Sequence, residues 1–163
     1  MIKFKPDTCQ IVFREIPDCV SLAIEITNCQ GMCRECHSPW LREDIGEELT
    51  QVKLFELIDA NPGIDCVVFM GEGNDPDALK KLALSIYMKN PGISTALYSG
   101  RTEVEKEYDL YFNYIKVGPY IPERKSLDFE TTNQRLYEIE REFGTDFAVK
   151  TKRHDITYKF WRK

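Results

Sequence analysis

The chain has 163 residues, 42% hydrophobic and 30% charged, a length and composition typical of one globular domain spanning residues 1–163. Its formal net charge of -5 gives no reason to expect nucleic acid as a partner. The longest apolar run, Cys66 to Met70, is too short to span a bilayer, and the N-terminal MIKFKPD lacks the apolar centre of a signal peptide, so we expect a cytoplasmic protein with no membrane partner.

The first predicted element is an antiparallel hairpin near the start of the chain. Residues 9–16 and 19–27 alternate apolar and polar side chains with a period of two, and Pro17-Asp18 between them is typical of a turn. The second of these strands leads directly into a loop with three cysteines, ITNCQGMCRECHSPW at residues 26–40.

Beyond this loop the chain alternates between helical and strand patterns. The predicted helices are residues 47–61, 75–90 and a short one at 102–107, and the predicted strands are residues 65–70, 93–99 and 108–118. Such alternation indicates an α/β fold with a parallel sheet, in which the loops that follow the strands meet at one edge. Sites of α/β proteins lie at that edge.

The C-terminal part of the chain has a less decisive pattern. Residues 131–143 are compatible with either a strand or a helix, and residues 147–163 alternate in a way that predicts a closing hairpin. The chain is therefore expected to carry an antiparallel hairpin at each end of its parallel sheet.

The loop places Cys29, Cys33 and Cys36 within eight positions, and three ligand chemistries compete for them. Zinc commonly takes two pairs of ligands, and the fourth ligand would have to be His37, which adjoins Cys36, or a distant cysteine. A redox dithiol needs only Cys33 and Cys36. A four-iron cluster held by three thiolates leaves one iron open to an outside ligand, so the count of three favours the cluster over zinc, a dithiol or unligated thiols. The other cysteines fall in strand patterns, where we expect buried apolar side chains and no second cluster: Cys9, Cys19 and Cys66.

This Cys-x3-Cys-x2-Cys loop, directly after a strand of an alternating α/β chain, resembles the signature of the radical S-adenosylmethionine (SAM) superfamily. The resemblance implies a partial (β/α) barrel of the radical SAM type, a [4Fe-4S] cluster bound by Cys29, Cys33 and Cys36, and SAM as a second cofactor. In that superfamily SAM chelates the open iron, and one electron from the cluster cleaves its sulfonium to give a 5′-deoxyadenosyl radical.

A second stretch, FMGEGNDP at residues 69–76, stands where the superfamily carries a Gly-Gly-Glu motif that receives the SAM amino group. The resemblance implies this role for Gly71 and Glu72, although Met70 occupies the position of the first glycine. Taken alone, the stretch is typical of a strand-to-helix turn in which Gly73 supplies a positive φ. Glu35 likewise departs from the superfamily, where an aromatic residue commonly precedes the third cysteine.

Two later segments narrow the family. IKVGPY at residues 115–120 and TTNQR at residues 131–135 are similar to segments of the anaerobic ribonucleoside-triphosphate reductase activating proteins, and the resemblance covers roughly residues 9–140. Asn133 is then a candidate SAM contact, although its pattern fits a helix cap equally well. Ser99 and Arg101 follow a predicted strand at the same edge, where either side chain is placed to bind the SAM carboxylate.

The function implied by the resemblance is the reductive cleavage of SAM, followed by abstraction of a hydrogen atom from a glycine of a protein partner. That partner is the anaerobic ribonucleoside-triphosphate reductase, and an external one-electron reductant is also required. The alternatives are a radical SAM enzyme that acts on another glycyl-radical enzyme or on a small molecule, and a non-catalytic iron–sulfur or zinc binding module.

Overall fold

A computed structural model of the chain describes residues 1–162. Its strands are β1 (Lys3–Phe4), β2 (Gln10–Val12), β3 (Ser21–Glu25), β4 (Glu47–Glu48), β5 (Cys66–Met70), β6 (Ser94–Tyr98), β7 (Tyr114–Val117), β8 (Arg135–Phe143) and β9 (Val149–Asp155). Its α-helices are α1 (Gln51–Asp59) and α2 (Pro76–Lys89), and short 3-10 helices cover Pro6–Thr8, Pro39–Arg42, Lys106–Leu110 and Thr157–Trp161. Among these residues, no helix is long and apolar enough to cross a membrane.

Seven of the strands form one mixed sheet in the order β2-β3-β5-β6-β7-β8-β9, and β1 pairs with β4 in a separate two-stranded sheet. The central strands β3, β5, β6 and β7 are parallel, whereas the β2–β3, β7–β8 and β8–β9 pairs are antiparallel. The predicted α/β fold with a parallel centre and an N-terminal antiparallel hairpin is therefore confirmed. The other end of the sheet also carries an antiparallel hairpin, but it is formed by β8 and β9 and not within residues 147–163. Over residues 1–162 the sheet is open rather than a closed barrel.

Two apolar layers cover the sheet. One face packs against α1 and α2 through side chains such as Leu54, Ile58 and Ile86, while the other is covered by Ile16 and Ile156 from the chain termini. Strand β5 lies between these layers, and its residues 66–69 are fully buried, as its continuous apolar run predicted.

Both α-helices begin at side-chain caps. Thr50 accepts a hydrogen bond from the amide of Lys53 at the start of α1, and Asp75 accepts one from the amide of Ala78 at the start of α2. The predicted start of the first helix at residue 47 is wrong because residues 47–48 pair with β1 as strand β4 instead.

Several other predicted elements differ in the structure. The strand predicted at 108–118 begins only at Tyr114, because Lys106–Leu110 forms a 3-10 helix that buries Tyr108 and Asp109. This helix also replaces the one predicted at 102–107. Residues 135–143 are a strand, and β9 pairs with that strand rather than within the tail. Cys66 is buried as predicted, but Cys9 and Cys19 lie just outside the strands and are half-buried.

A buried ion pair attaches the β8–β9 hairpin to the 3-10 helix. The carboxylate of Asp109, with no exposed side-chain surface, accepts hydrogen bonds from Arg153 Nε at 2.8 Å and from Thr151 Oγ at 3.0 Å. Arg141 donates to the carbonyls of Asp109 and Phe112, both at 2.7 Å. The hairpin thereby fixes the segment that precedes β7 and carries Tyr108.

Candidate functional site

The loops that follow β3, β5, β6 and β7 surround a cavity of about 820 Å³ at the carboxyl edge of the parallel strands. This volume lies within the range of small-molecule and cofactor pockets. Its lining includes Cys29 and Cys33 from the cysteine loop, Glu72 after β5, Arg101 after β6 and Tyr120 after β7. The topology thus brings together four segments that are far apart in the sequence.

The cysteine loop is anchored at its base by main-chain hydrogen bonds. The amide of Cys29 donates to the carbonyl of Leu41 at 2.7 Å, and the amide of Asn28 donates to the carbonyl of Glu43 at 3.1 Å. Inside the loop, the guanidinium of Arg42 donates to the carbonyl of Cys33 at 2.6 Å. The two ends of the segment that carries the thiols are therefore bonded to each other through the backbone.

Amide donors and glycines surround the three half-buried thiols. The amide of Gly31 donates to Cys29 Sγ and the amide of Ser38 donates to Cys36 Sγ, both at 3.4 Å. A Cβ on Gly31 would lie 3.3 Å from Cys29 Sγ, and one on Gly100 would lie 3.1 Å from Cys33 Sγ. The glycines therefore leave space next to two of the sulfurs.

The thiols do not converge on a single point. Among residues 1–162, no three side chains of His, Cys, Asp or Glu come close enough together to ligate one metal ion. Cys29 and Cys33 face the cavity, while Cys36 lies beside it, outside the cavity lining.

The carboxylate of Glu72 accepts hydrogen bonds from three side chains. Ser99 Oγ donates at 2.5 Å, Arg101 donates through Nε at 3.0 Å and Nη2 at 2.7 Å, and Tyr108 Oη donates at 3.2 Å. Arg101 also binds Glu105, with distances of 2.9 and 3.0 Å. The Glu72 side chain is only 15% exposed, so a fixed negative charge lies at the wall of the cavity.

These contacts change the acidity of the groups involved. Hydrogen bonds from Arg101 lower the pKa of Glu105 to about 2. Burial, reinforced by the negative charge of Glu72, raises the pKa of Tyr108 to about 12. Hydrogen bonds to Glu105 and Glu72 raise the pKa of Arg101 above its usual range. At neutral pH the guanidinium is thus charged, and the phenol keeps the proton that it donates to Glu72.

Two glycines after β5 have backbone conformations that place Glu72 in the wall. Gly71 has a φ of +107° and donates its amide to the carbonyl of Tyr98 at 3.0 Å. Gly73 has a φ of +65°, as its turn pattern predicted, and a Cβ there would lie 2.9 Å from Ile26 Cγ2. Because L side chains rarely adopt these values of φ, the turn needs glycine at both positions.

The segment after β7 is held in place by a hydrogen bond from Asn133. Its Nδ2 donates to the carbonyl of Pro119 at 3.0 Å, whereas its Oδ1 is buried and has no hydrogen-bond partner among residues 1–162. The ring of the next residue, Tyr120, contacts the ring of His37 edge-on, with 4.3 Å between the ring centroids. Asn133 therefore lies behind the cavity wall, and Tyr120 joins that wall to the cysteine loop.

A buried lysine lies behind the junction of these loops. Lys116 is 7% exposed, and its ammonium donates to the carbonyls of Gly118 at 2.8 Å and Ser99 at 3.3 Å. Burial lowers its pKa to about 8, an effect that negative charge on Cys33 and Cys36 would oppose. Among residues 1–162 it has no carboxylate within ion-pair distance.

Of the predicted SAM contacts, Gly71 and Glu72 line the cavity, whereas Ser99 and Asn133 lie behind it and hold lining groups in place. Sequence reasoning did not identify two residues near the cavity. These are Tyr108, which lies in a stretch with a strand pattern, and Lys116. The one available signal for Lys116 was a lone charge within the apolar strand YIKV.

Comparison of the chain with protein-family models, with curated proteins and with solved structures gives no significant match.

Proposed function

We propose that the chain is a radical SAM enzyme that generates a glycyl radical on the anaerobic ribonucleoside-triphosphate reductase. In this proposal the open sheet is a partial barrel, and the protein works in the reducing cytoplasm, where its six free cysteines persist as thiols. The observation that carries the proposal is the position of the cysteine loop. It follows a parallel strand and faces the cavity of about 820 Å³ at the carboxyl edge of the sheet.

The donor set fits a cluster that has one iron open. Cys29, Cys33 and Cys36 supply three thiolates, and the remaining cysteines, Cys9, Cys19 and Cys66, are not in the cavity wall. The amides of Gly31 and Ser38 donate hydrogen bonds to two of the sulfurs. When bound, the cluster supplies one electron, received from an external reductant, which cleaves SAM to methionine and the 5′-deoxyadenosyl radical that abstracts the glycine hydrogen.

The groups around the cavity suit the polar parts of SAM. In the proposal Glu72 accepts a hydrogen bond from the SAM ammonium, and Arg101, on the same wall, attracts the SAM carboxylate. Ser99 and Tyr108 hold the Glu72 carboxylate in place by donating to it. The side chains therefore bind and orient SAM, and no side chain is assigned to acid–base catalysis.

The proposal is tested by anaerobic reconstitution with iron and sulfide, followed by addition of SAM and a strong one-electron reductant. We expect methionine and 5′-deoxyadenosine in equal amounts, and an electron paramagnetic resonance (EPR) signal of the reduced cluster that changes when SAM is added. With the anaerobic reductase present, a glycyl-radical signal is expected on that protein. An unchanged EPR signal, or a protein that holds only zinc, would contradict the proposal.

Single cysteine variants provide matched controls. Cys29→Ala, Cys33→Ala and Cys36→Ala are each expected to abolish SAM cleavage. Cys9→Ala makes the same change at a thiol that is also half-buried but distant from the cavity, and it should retain cleavage. Equal loss of activity in Cys9→Ala and Cys33→Ala would show that the cysteine loop has no special role.

The cavity also has room for a small-molecule substrate beside SAM, which favours one alternative within the same chemistry. If SAM is cleaved but the reductase receives no radical, the assignment of the reductase as substrate fails, and a small molecule or another glycyl-radical enzyme becomes the candidate substrate. Transfer of deuterium from a labelled substrate into 5′-deoxyadenosine identifies which of them donates the hydrogen atom.

A further inference from the structure

Lys116 is a buried cation that lacks a buried anion. Its side chain is 7% exposed, its ammonium has two carbonyl acceptors, and its other neighbour is the ring of Tyr98, whose centroid lies 5.7 Å away. Burying an ammonium group without an opposite charge is costly, because carbonyl dipoles replace only part of its hydration. The strand position explains the burial but not the choice of lysine.

The location of Lys116 indicates where the missing negative charge belongs. The ammonium binds the carbonyl of Ser99, and the next residue, Gly100, approaches Cys33 so closely that a Cβ would lie 3.1 Å from the sulfur. Negative charge on Cys33 and Cys36 would act on this ammonium and raise its pKa. Only a backbone segment thus separates the ammonium from the proposed cluster.

We propose that the positive charge of Lys116 stabilises the reduced cluster and raises its reduction potential. The inference rests on the proposed function, since it requires a cluster on Cys29, Cys33 and Cys36. Reduction adds one electron, taken from an external one-electron donor that is itself oxidised by one electron, and so adds one negative charge to the loop. In a dry, low-dielectric environment a nearby cation offsets that charge more effectively than it would in water.

The test is an anaerobic redox titration of the reconstituted proteins without SAM, monitored by EPR. Lys116→Met removes the charge and approximately keeps the shape, while Lys116→Gln removes the charge but keeps a donor for the carbonyls. We expect both variants to bind as much iron as the wild type, and to have a midpoint potential that is more negative. Lys150→Met, at an exposed position of β9, controls for the loss of a distant lysine and should leave the midpoint unchanged.

Each outcome is decisive. A wild-type midpoint in both neutral variants, with iron content and circular dichroism unchanged, would overturn the inference while leaving SAM cleavage and the proposed function intact. Failure of both neutral variants to fold would assign Lys116 a purely structural role and would also overturn it. A wild-type protein that binds no cluster would refute the proposed function and this inference together.

Discussion

Replacing Glu72 with glutamine tests whether the carboxylate in the cavity wall binds SAM. The substitution keeps the shape of the side chain and removes its charge, so the loss is that of a charge-assisted hydrogen bond to the SAM ammonium. Such bonds contribute about 1.5–3 kcal/mol, and each 1.4 kcal/mol changes a dissociation constant about tenfold. Because Arg101 already neutralises part of the Glu72 charge and is 43% exposed, we expect the low end, a roughly tenfold higher Kd.

The assay is equilibrium dialysis of SAM against the reconstituted protein without reductant, so that no SAM is consumed. Glu105→Gln is the matched control, because Glu105 binds the same guanidinium through two hydrogen bonds but its side chain is 64% exposed. We expect its Kd to stay within about threefold of wild type, since exposed ion pairs contribute little. A wild-type Kd for Glu72→Gln, or an equal loss in Glu105→Gln, would refute the assignment of Glu72.

Three further predictions concern stability. Gly118→Ala forces alanine to a φ of +103° and should lower the unfolding free energy by about 1–3 kcal/mol. Gly92→Ala is the control and should change the unfolding free energy little, because a Cβ at that position meets no atom within 4 Å. Urea titration compares the two variants. Asp109→Asn breaks the buried ion pair with Arg153 and should cost about 3 kcal/mol, seen as a lower urea midpoint, and a wild-type midpoint would show that the pair is dispensable. In the cluster-free protein Lys116 has a pKa of about 8 against an ordinary 10.5, so between these pH values the unfolded state binds more protons than the folded state. Lys116 therefore makes the unfolding free energy rise with pH in that range. The urea midpoint of Lys116→Met should lack this rise, and identical pH profiles of variant and wild type would contradict the prediction.

The parallel core was predictable because its signals are local. The apolar run of β5, the Asp75-Pro76 start of α2 and the spacing of the three cysteines each lie within a short window of sequence. By contrast, Tyr108 alternates with its neighbours as in a strand, yet it belongs to a 3-10 helix fixed by the buried carboxylate of Asp109 and its partner Arg153. That partner is 44 positions away, and no local pattern reveals it.

The candidate site likewise has a part that local sequence predicts and a part that it does not. The spacing of Cys29, Cys33 and Cys36 predicted one loop, but the bond between Ser99 and Glu72 depends on how β5 and β6 are aligned. The position of Lys116 behind Gly100 likewise depends on the pairing of β6 with β7. A sequence alone does not specify such cross-strand contacts, because register is set by the packing of both faces of the sheet.

The cysteine loop is closed at its base by the amides of Asn28 and Cys29, and its thiols take no part in either apolar layer. The folded chain can therefore exist before any iron arrives. If oxygen destroys the proposed cluster, damage should be confined to this loop, and fresh iron and sulfide should restore the protein without a round of unfolding. The proposed enzyme would then be repairable after exposure to air.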